Sequence, residues 1–272
     1  MVTSADGTKI AVDSTGPPGA PTVVLLHGWA ASAAAWSLPA GDDLHVLAVD
    51  LRGHGASDTP VDGYRDSGVL AGDVAAVLST LAGPVVLVGW SYGGLVITDY
   101  LRRYGTAGIA GVMFVGAITE IGRDRAGGRV GSAMRAALPD ALSEDPHLAV
   151  PALLELAVLS TSAPRSGTEV QRGLAASLRV PPAVRAALFR RDVTSAEVLS
   201  AVDVPTLFVH GTDDVVVSPL ATEYAAGLVP GAEVRWYPDT GHMPFAERPE
   251  RFRTDLAAFA HRCLVDSAGV GT

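Results

Sequence analysis

Cysteine is almost absent from this sequence. Cys263 is the only one among 272 residues, so no disulfide can form within the chain, and we expect it to be a buried thiol in the last helix. No apolar run is long enough to cross a bilayer. The N-terminal residues have neither the basic region nor the apolar region of a signal peptide. These absences predict a soluble, cytoplasmic protein.

Positive charge is also scarce. Lysine and arginine number 20 against 29 aspartates and glutamates, which gives a net charge of −9. This balance argues against nucleic acid or an anionic membrane as a partner, and by itself it names no substrate. Because 48% of the residues are hydrophobic and only 18% are charged, the chain is expected to be globular. Nothing in the sequence indicates the oligomeric state.

The signatures of bound cofactors are missing as well. No cluster of histidine, cysteine, aspartate and glutamate suggests a metal site. No glycine-rich segment has the spacing of a dinucleotide-binding loop. We therefore expect neither a metal nor a cofactor.

What the sequence does contain is a regular alternation of strand and helix signals. Short apolar runs predict strands, and apolar residues at helical spacing predict helices. The predicted strands are residues 22–26, 45–49, 85–88, 109–116, 206–210 and 233–237. The predicted helices between and after them include residues 66–81, 219–228 and 249–261. This pattern predicts an α/β fold, with a mostly parallel twisted sheet and helices on both faces.

One long block interrupts this alternation. Strand signals stop between about residues 119 and 199, where helical segments separated by proline and glycine take their place. These segments are predicted near residues 130–138, 151–159, 168–178 and 182–189. We interpret residues 119–199 as a helical cap inserted over the carboxyl edge of the sheet. Residues 1–118 and 200–272 would then form the core.

The most informative stretch is residues 85–95. A predicted strand leads directly into G-W-S-Y-G at residues 89–93, which fits G-x-S-x-G, and apolar residues at helical spacing follow. A strand that turns at once into a helix forces a sharp bend with a strained residue at its apex. The flanking glycines let neighbouring chain pass close to that bend. We predict that Ser91, held beside a helix N-terminus, is a nucleophile.

A serine nucleophile needs a base, usually a histidine, and the base needs an orienting carboxylate. Among seven histidines, His242 is the best placed, since it lies in the loop after the last strand, at the expected active edge of the sheet. Asp213 and Asp214 follow the preceding strand, and the chemistry of the residues alone does not separate them. The order serine, aspartate, histidine is the one expected on this scaffold.

Together these motifs resemble the α/β-hydrolase superfamily, over nearly the whole chain. The resemblance rests on H-G-W at residues 27–29, D-L-R-G-H-G at 50–55, G-W-S-Y-G-G at 89–94, G-T-D-D at 211–214 and G-H at 241–242. Within the superfamily, the sequence resembles serine carboxylesterases, including the esterase that demethylates pimeloyl carrier-protein esters. It is similar, too, to the cofactor-free perhydrolases once called non-haem haloperoxidases.

The resemblance implies roles for particular residues. The family acid stands three residues after the glycine of G-x-x-D, which selects Asp214. The family oxyanion hole uses two backbone N–H groups, here those of Trp29 and Tyr92. The side chains of Trp29, Tyr92 and Met243 are candidates for the substrate pocket. His27 is expected to support the oxyanion loop by a hydrogen bond.

The activity implied is that of a serine hydrolase that cleaves a small-molecule carboxylic ester through an acyl-enzyme. Serine at position 91 argues against haloalkane dehalogenases and most epoxide hydrolases of the family, which have aspartate there. Perhydrolase, lactonase and thioesterase activities are alternatives, as are a C–C bond hydrolase, a lyase or a biosynthetic cyclase on the same site. A non-catalytic ligand-binding scaffold is a more remote alternative. The fold does not choose among these.

Overall fold

The computed structural model describes residues 1–36 and 43–269, so residues 37–42 and 270–272 of the predicted core lie outside the described part. Nine strands are present in that part. They are β1 (Val2–Thr3), β2 (Lys9–Ile10), β3 (Val12–Thr15), β4 (Thr22–Leu26), β5 (His45–Val49), β6 (Val85–Trp90), β7 (Ile109–Val115), β8 (Thr206–Gly211) and β9 (Glu233–Tyr237). β1 and β2 form a small antiparallel ribbon, and the other seven form one sheet in the order β3-β5-β4-β6-β7-β8-β9.

Ten α-helices connect and follow these strands in the described residues. They are α1 (Ser67–Leu78), α2 (Tyr92–Tyr104), α3 (Ser132–Ala141), α4 (Pro146–Leu159), α5 (Gly167–Arg179), α6 (Pro182–Phe189), α7 (Ala196–Ser200), α8 (Pro219–Leu228), α9 (Pro244–Glu247) and α10 (Pro249–Gly269). The predicted α/β fold is confirmed. The short helices α7 and α9 were not predicted, because each is too short to show a helical period.

The start of α4 was predicted wrongly. The sequence predicts a helix over about residues 151–159, but the helix begins at Pro146 and contains Pro151. The backbone N–H of His147 donates to the Asp145 side chain at 2.8 Å, so the N-cap Asp145 starts the helix five residues before the predicted position. Cys263 is buried in α10, as expected.

The main sheet is parallel except at one edge. β3 pairs antiparallel with β5, and the remaining neighbours pair in parallel. The parallel strands therefore end at one common edge, where the loops after β4, β6, β8 and β9 meet. β6 lies between β4 and β7, so the residue that follows β6 lies near the middle of that edge.

Both faces of the sheet are buried, and this explains why its strands are apolar at consecutive positions. In β4, Val24 and Leu26 belong to a core cluster with residues of α1 and α2. Val23 and Leu25 point the other way, into a second cluster that includes Phe252 and other residues of α10. The alternation follows from the two-residue period of a strand.

Helices α3 to α7 all lie between β7 and β8 in the chain, where the sequence predicts a helical insertion. Buried Arg185 of α6 joins several of them. Its guanidinium donates to the carbonyl of Ala141, at the end of α3, at 3.1 Å and to that of Val180, after α5, at 2.7 Å. Helix C-termini carry partial negative charge, which stabilises the guanidinium. The division of the chain into core and cap stays a prediction.

The bend between β6 and α2 requires glycine on both sides. Ser91 occupies it with a φ of 54° and a ψ of −119°. A Cβ atom on Gly89 would lie 2.7 Å from the backbone of Gly93, and one on Gly93 would lie 2.2 Å from the carbonyl oxygen of Leu26 in β4. Any larger residue at position 93 must push the bend at Ser91 away from β4.

The Gly93 contact leads to a stability prediction. Gly93→Ala should lower the free energy of unfolding by about 2 kcal/mol or more, because the added methyl group overlaps backbone atoms that cannot rotate away. Gly72→Ala is the control, since α1 offers open space around Gly72. That change should be neutral or stabilise by up to about 1 kcal/mol. Urea denaturation measures both, and equal effects would contradict the close approach.

Two buried histidines support the turns that follow β4 and β5. His27 Nδ1 donates to the carbonyl of Gly28 at 2.8 Å, and Nε2 accepts the N–H of Leu51 at 3.0 Å. The hydrogen bond expected from His27 to the turn after β4 is therefore present. Burial lowers the pKa of His27 to about 4. Burial, together with the neighbouring His27 ring 5.0 Å away, lowers the pKa of His54 to about 3. Both rings are neutral at pH 7.

These lowered pKa values predict a loss of stability in acid. Below pH 6.5 the unfolded chain protonates both histidines, whereas the folded protein leaves them neutral until about pH 4. The contribution of the two histidines to the free energy of unfolding is therefore fully present above pH 6.5. Below pH 6.5 the free energy of unfolding falls by up to ~1.4 kcal/mol per pH unit for each histidine. His54→Gln should reduce that slope in urea denaturation between pH 7 and 4.5. His261→Gln, at an exposed position, should leave the slope unchanged. Equal slopes for wild type and His54→Gln would refute this assignment.

Candidate active site

Ser91 and His242 line the same cavity, at the carboxyl edge of the sheet. The cavity has a volume of about 150 Å³, and its wall combines residues of the core with residues of α3, α4 and α5. Trp29 and Met243, two of the predicted pocket residues, are also part of the wall. The structure thus brings together residues from three distant parts of the chain.

The loop after β9 holds His242 by its backbone. The N–H of His242 donates to the carbonyl of Ser160 at 3.0 Å, and its own carbonyl accepts the indole N–H of Trp90 at 2.9 Å. The rings of Trp90 and His242 are 5.4 Å apart. Since Trp90 directly precedes Ser91, the same residue that leads into the bend also positions the histidine loop.

Asp214 orients the imidazole of His242. Nδ1 of His242 donates to Oδ2 of Asp214 at 2.7 Å, while Oδ1 accepts the N–H groups of Val216 and Val217 at 2.8 and 2.9 Å. This hydrogen bond places the proton of a neutral imidazole on Nδ1 and leaves Nε2 as the basic nitrogen.

The environment of Asp214 favours its ionised form. Burial alone would raise the pKa of this carboxyl, but electrostatic attraction to the His242 ring and the hydrogen bonds from His210 and His242 outweigh burial and hold the pKa well below its usual range. Asp213 is exposed, and its carboxylate accepts only the hydroxyl of Thr212, at 3.0 Å, among the described side chains. The two adjacent aspartates, which the residues alone left unresolved, thus have different surroundings.

His210, for which the sequence predicts no role, also contacts Asp214. Its Nε2 lies 3.1 Å from Oδ2 of Asp214 and 3.1 Å from the carbonyl of Val217. Its Nδ1 accepts the hydroxyl of Thr222 at 2.7 Å. Both neighbours of Nε2 are acceptors, so that nitrogen carries the proton. The available signal was its position at the end of β8, four residues before Asp214.

The turn after β4 approaches the bend closely. A Cβ atom on Gly28 would lie 3.0 Å from the Cβ of Ser91, so the backbone of this turn is in contact with the serine. Trp29 follows Gly28, and its indole N–H donates to the carbonyl of Arg185 at 3.1 Å. Its ring meets Phe189 edge-on, with centroids 5.0 Å apart. Two residues of α6 therefore hold the Trp29 side chain.

The side chain of Tyr92 does not line this cavity, contrary to its prediction as a pocket residue. Its hydroxyl donates to the carbonyl of Leu188 at 3.1 Å and accepts from Arg191 at 2.8 Å. Burial raises the pKa of Tyr92 to about 12, so the phenol is neutral. The physical reason is helical geometry, because the first residue of α2 directs its side chain away from the bend. The backbone N–H of Tyr92 remains at the helix N-terminus.

The described residues, 1–36 and 43–269, contain no group of three or more histidine, cysteine, aspartate and glutamate side chains able to hold a metal ion. Within those same ranges, none of the helices combines the length and the apolar character needed to cross a membrane.

Comparison with known proteins places the chain in a family. Residues 23–255 match the model of the alpha/beta hydrolase family. The chain is 31% identical to a non-heme chloroperoxidase of Streptomyces lividans, over 95% of this chain and 98% of that protein. It is 30% identical to a pimeloyl-[acyl-carrier protein] methyl ester esterase of Aromatoleum aromaticum, over 85% of this chain and 94% of that protein.

Solved structures agree with the sequence relatives. The esterase RhEst1 from Rhodococcus sp. ECU1013 superimposes with a TM-score of 0.91 and 46% identity, covering 95% of this chain and 97% of the other. Similarity to esterases and haloperoxidases confirms the group that the motifs indicated. The chain therefore belongs to the alpha/beta hydrolase family.

Proposed function

We propose that this protein is a serine esterase that hydrolyses small carboxylic esters through an acyl-enzyme. The observation that carries the proposal is the 2.7 Å hydrogen bond from His242 to Asp214, beside a cavity that Ser91 and His242 both line. A neutral imidazole with a buried carboxylate on Nδ1 is the base that a serine hydroxyl requires. Similarity to the Rhodococcus esterase, at 46% identity, supports the ester as substrate.

The proposed reaction has two halves. In the first, Nε2 of His242 accepts the hydroxyl proton of Ser91 while Oγ attacks the ester carbonyl. The tetrahedral intermediate then collapses, and the alcohol leaves with the proton from His242. In the second, His242 takes a proton from water while the water oxygen attacks the acyl carbon. The bond from the acyl carbon to Oγ then breaks, the acid leaves, and His242 returns the proton to Oγ of Ser91. Asp214 stays ionised throughout and stabilises the imidazolium.

Two backbone groups would stabilise the negative oxygen of each tetrahedral intermediate. We assign them to the N–H of Tyr92, at the N-terminus of α2, and the N–H of Trp29, in the turn that contacts Ser91. A single donor of this kind is typically worth about 3 kcal/mol of the barrier. In this proposal Tyr92 acts through its backbone alone, because its side chain is engaged by Leu188 and Arg191.

The size of the cavity favours a short acyl group. A volume of about 150 Å³ is that of an engineered cavity in another protein that binds benzene. Met134, Leu153 and Leu156, all from the helical segment between β7 and β8, contribute apolar wall. We propose that this segment is the cap and that these residues limit the length of the acyl chain.

Perhydrolysis is the second candidate. The similarity to a non-heme chloroperoxidase, at 31% identity, favours it specifically. Hydrogen peroxide would replace water in the second half-reaction, so that the acyl-enzyme yields a peracid and regenerates Ser91. Peracid formation in the presence of an ester and peroxide, measured beside hydrolysis of the same ester, separates the two activities.

The aspartate pair tests the proposal. Asp214→Asn should lower the turnover of p-nitrophenyl acetate by about 10⁴, because His242 loses the partner that fixes its tautomer. Asp213→Asn is the matched control and should retain most of the activity, because its carboxylate is exposed and faces Thr212. Turnover and melting temperature are measured for both variants. The assignment is reversed if Asp213→Asn is inactive and Asp214→Asn active while both remain folded.

A further inference from the structure

Arg165 brings a positive charge to the wall of the apolar cavity. It lies in the loop between α4 and α5 and lines the same cavity as Ser91 and His242. Its Nη1 is 3.6 Å from the sulfur of Met243, the residue that follows His242. The guanidinium therefore lies beside the loop that carries the proposed base.

This guanidinium is incompletely satisfied by the protein. Nε of Arg165 is shielded from solvent and has no hydrogen-bond partner among the described residues. The contact from Nη1 goes to a thioether, which is only a weak acceptor. An arginine presents five N–H donors in a planar fork that matches the two oxygens of a carboxylate. Arg165 thus has donors available for an anionic group in the cavity.

The charged side chains of α5 that line the cavity offset this charge only in part. The charge of Glu169 interacts with those of Arg165 and Arg172, but its Oε2 accepts both the N–H and the hydroxyl of Ser166, at 2.9 and 2.6 Å, in the N-terminal cap of α5. Arg172 also lines the cavity, with an exposed side chain. Two arginines and one engaged glutamate leave this wall with net positive charge.

The loop that carries Arg165 is fixed relative to the histidine loop. Oε2 of Glu247 accepts the N–H of Ser162 at 2.8 Å, and Oε1 of the same side chain accepts the N–H of Gly241 at 2.8 Å. One carboxylate therefore joins the loop before Arg165 to the loop before His242. A guanidinium held in this way can bind a substrate group with little further ordering.

We propose that Arg165 binds a carboxylate on the acyl group of the substrate, and that the preferred substrates are half-esters of short dicarboxylic acids. The proposal rests on the esterase function proposed above. Leu153, Leu156 and Ala157 of α4 supply apolar wall suited to the methylene groups between the ester and the carboxylate. The cavity volume of about 150 Å³ limits these to a short chain.

The test compares two esters of equal acyl length, monomethyl glutarate and methyl pentanoate. The measured quantity is the kcat/KM for monomethyl glutarate divided by the kcat/KM for methyl pentanoate. Arg165→Met should lower this ratio by about 10-fold or more, since a hydrogen bond to a charged group is lost. Arg165→Lys should recover part of it. Arg190→Met removes an equal charge from an exposed side chain that does not line the cavity, and it should keep the ratio within about threefold.

An unchanged ratio in Arg165→Met, with both rates lowered alike, would show that the residue only supports Met243 and His242. An equal fall in Arg190→Met would assign the preference to overall charge and overturn the specific contact. Melting temperatures identify any variant that fails to fold, and Arg165→Lys then decides through its smaller change.

Calorimetry separates this proposal from the esterase function. Monomethyl glutarate is titrated into Ser91→Ala and into the double variant Ser91→Ala/Arg165→Met. Binding that weakens by about 10-fold or more in the double variant supports the arginine site even if the wild type hydrolyses neither ester. If the wild type hydrolyses both esters but the two variants bind monomethyl glutarate equally, the arginine proposal alone is wrong.

Discussion

The strained bend at Ser91 is the constraint on which the rest of the site depends. A positive φ at a residue other than glycine costs on the order of 1–3 kcal/mol and persists only where the surroundings enforce it. Here the N–H of Ser91 donates to Val115 in β7 at 3.0 Å, and its carbonyl accepts from Gly94 and Ile118. The end of β7, the loop after it and the first turn of α2 together hold the serine in a conformation it would otherwise leave.

A second set of contacts holds His242 and Asp214. Trp90 links it to the contacts around Ser91, because this residue directly precedes the serine and also binds the histidine loop. Its indole binds the carbonyl of His242, while Asp214 accepts from His242, from His210 and from two backbone N–H groups. A buried carboxylate with this many donors stays ionised, as the lowered pKa of Asp214 requires. The charge that orients the imidazole is thus maintained by the loop after β8 and not by solvent.

Much of the fold and of the candidate site could be predicted from the sequence, because the strongest sequence signals are local. The turn of a strand into a helix around G-x-S-x-G indicates Ser91, and the order of the strands brings the loop of His242 to the same edge. Helix α4 was placed too late, since a proline inside a helix looks like a helix start when the earlier Asp145 cap is overlooked.

The contacts that could not be predicted depend on side-chain direction or on distant partners. Asp213 and Asp214 differ only in which way each points, and family spacing was needed to choose between them. The Tyr92 side chain points away from the cavity, and its buried hydroxyl is bound there by a partner, Arg191, that lies 99 residues away. Arg165 carries no motif, and its importance comes from the cavity that the fold builds around it.

The proposed esterase mechanism requires Ser91 to be the residue that becomes acylated. The decisive measurement is peptide mapping by mass spectrometry after reaction with a fluorophosphonate, whose fluoride is displaced by an activated serine oxygen. We predict that the fluorophosphonate labels one residue, Ser91, and that Ser91→Ala is not labelled although its melting temperature is unchanged. A label on another residue, or ester hydrolysis that persists in Ser91→Ala, would contradict it.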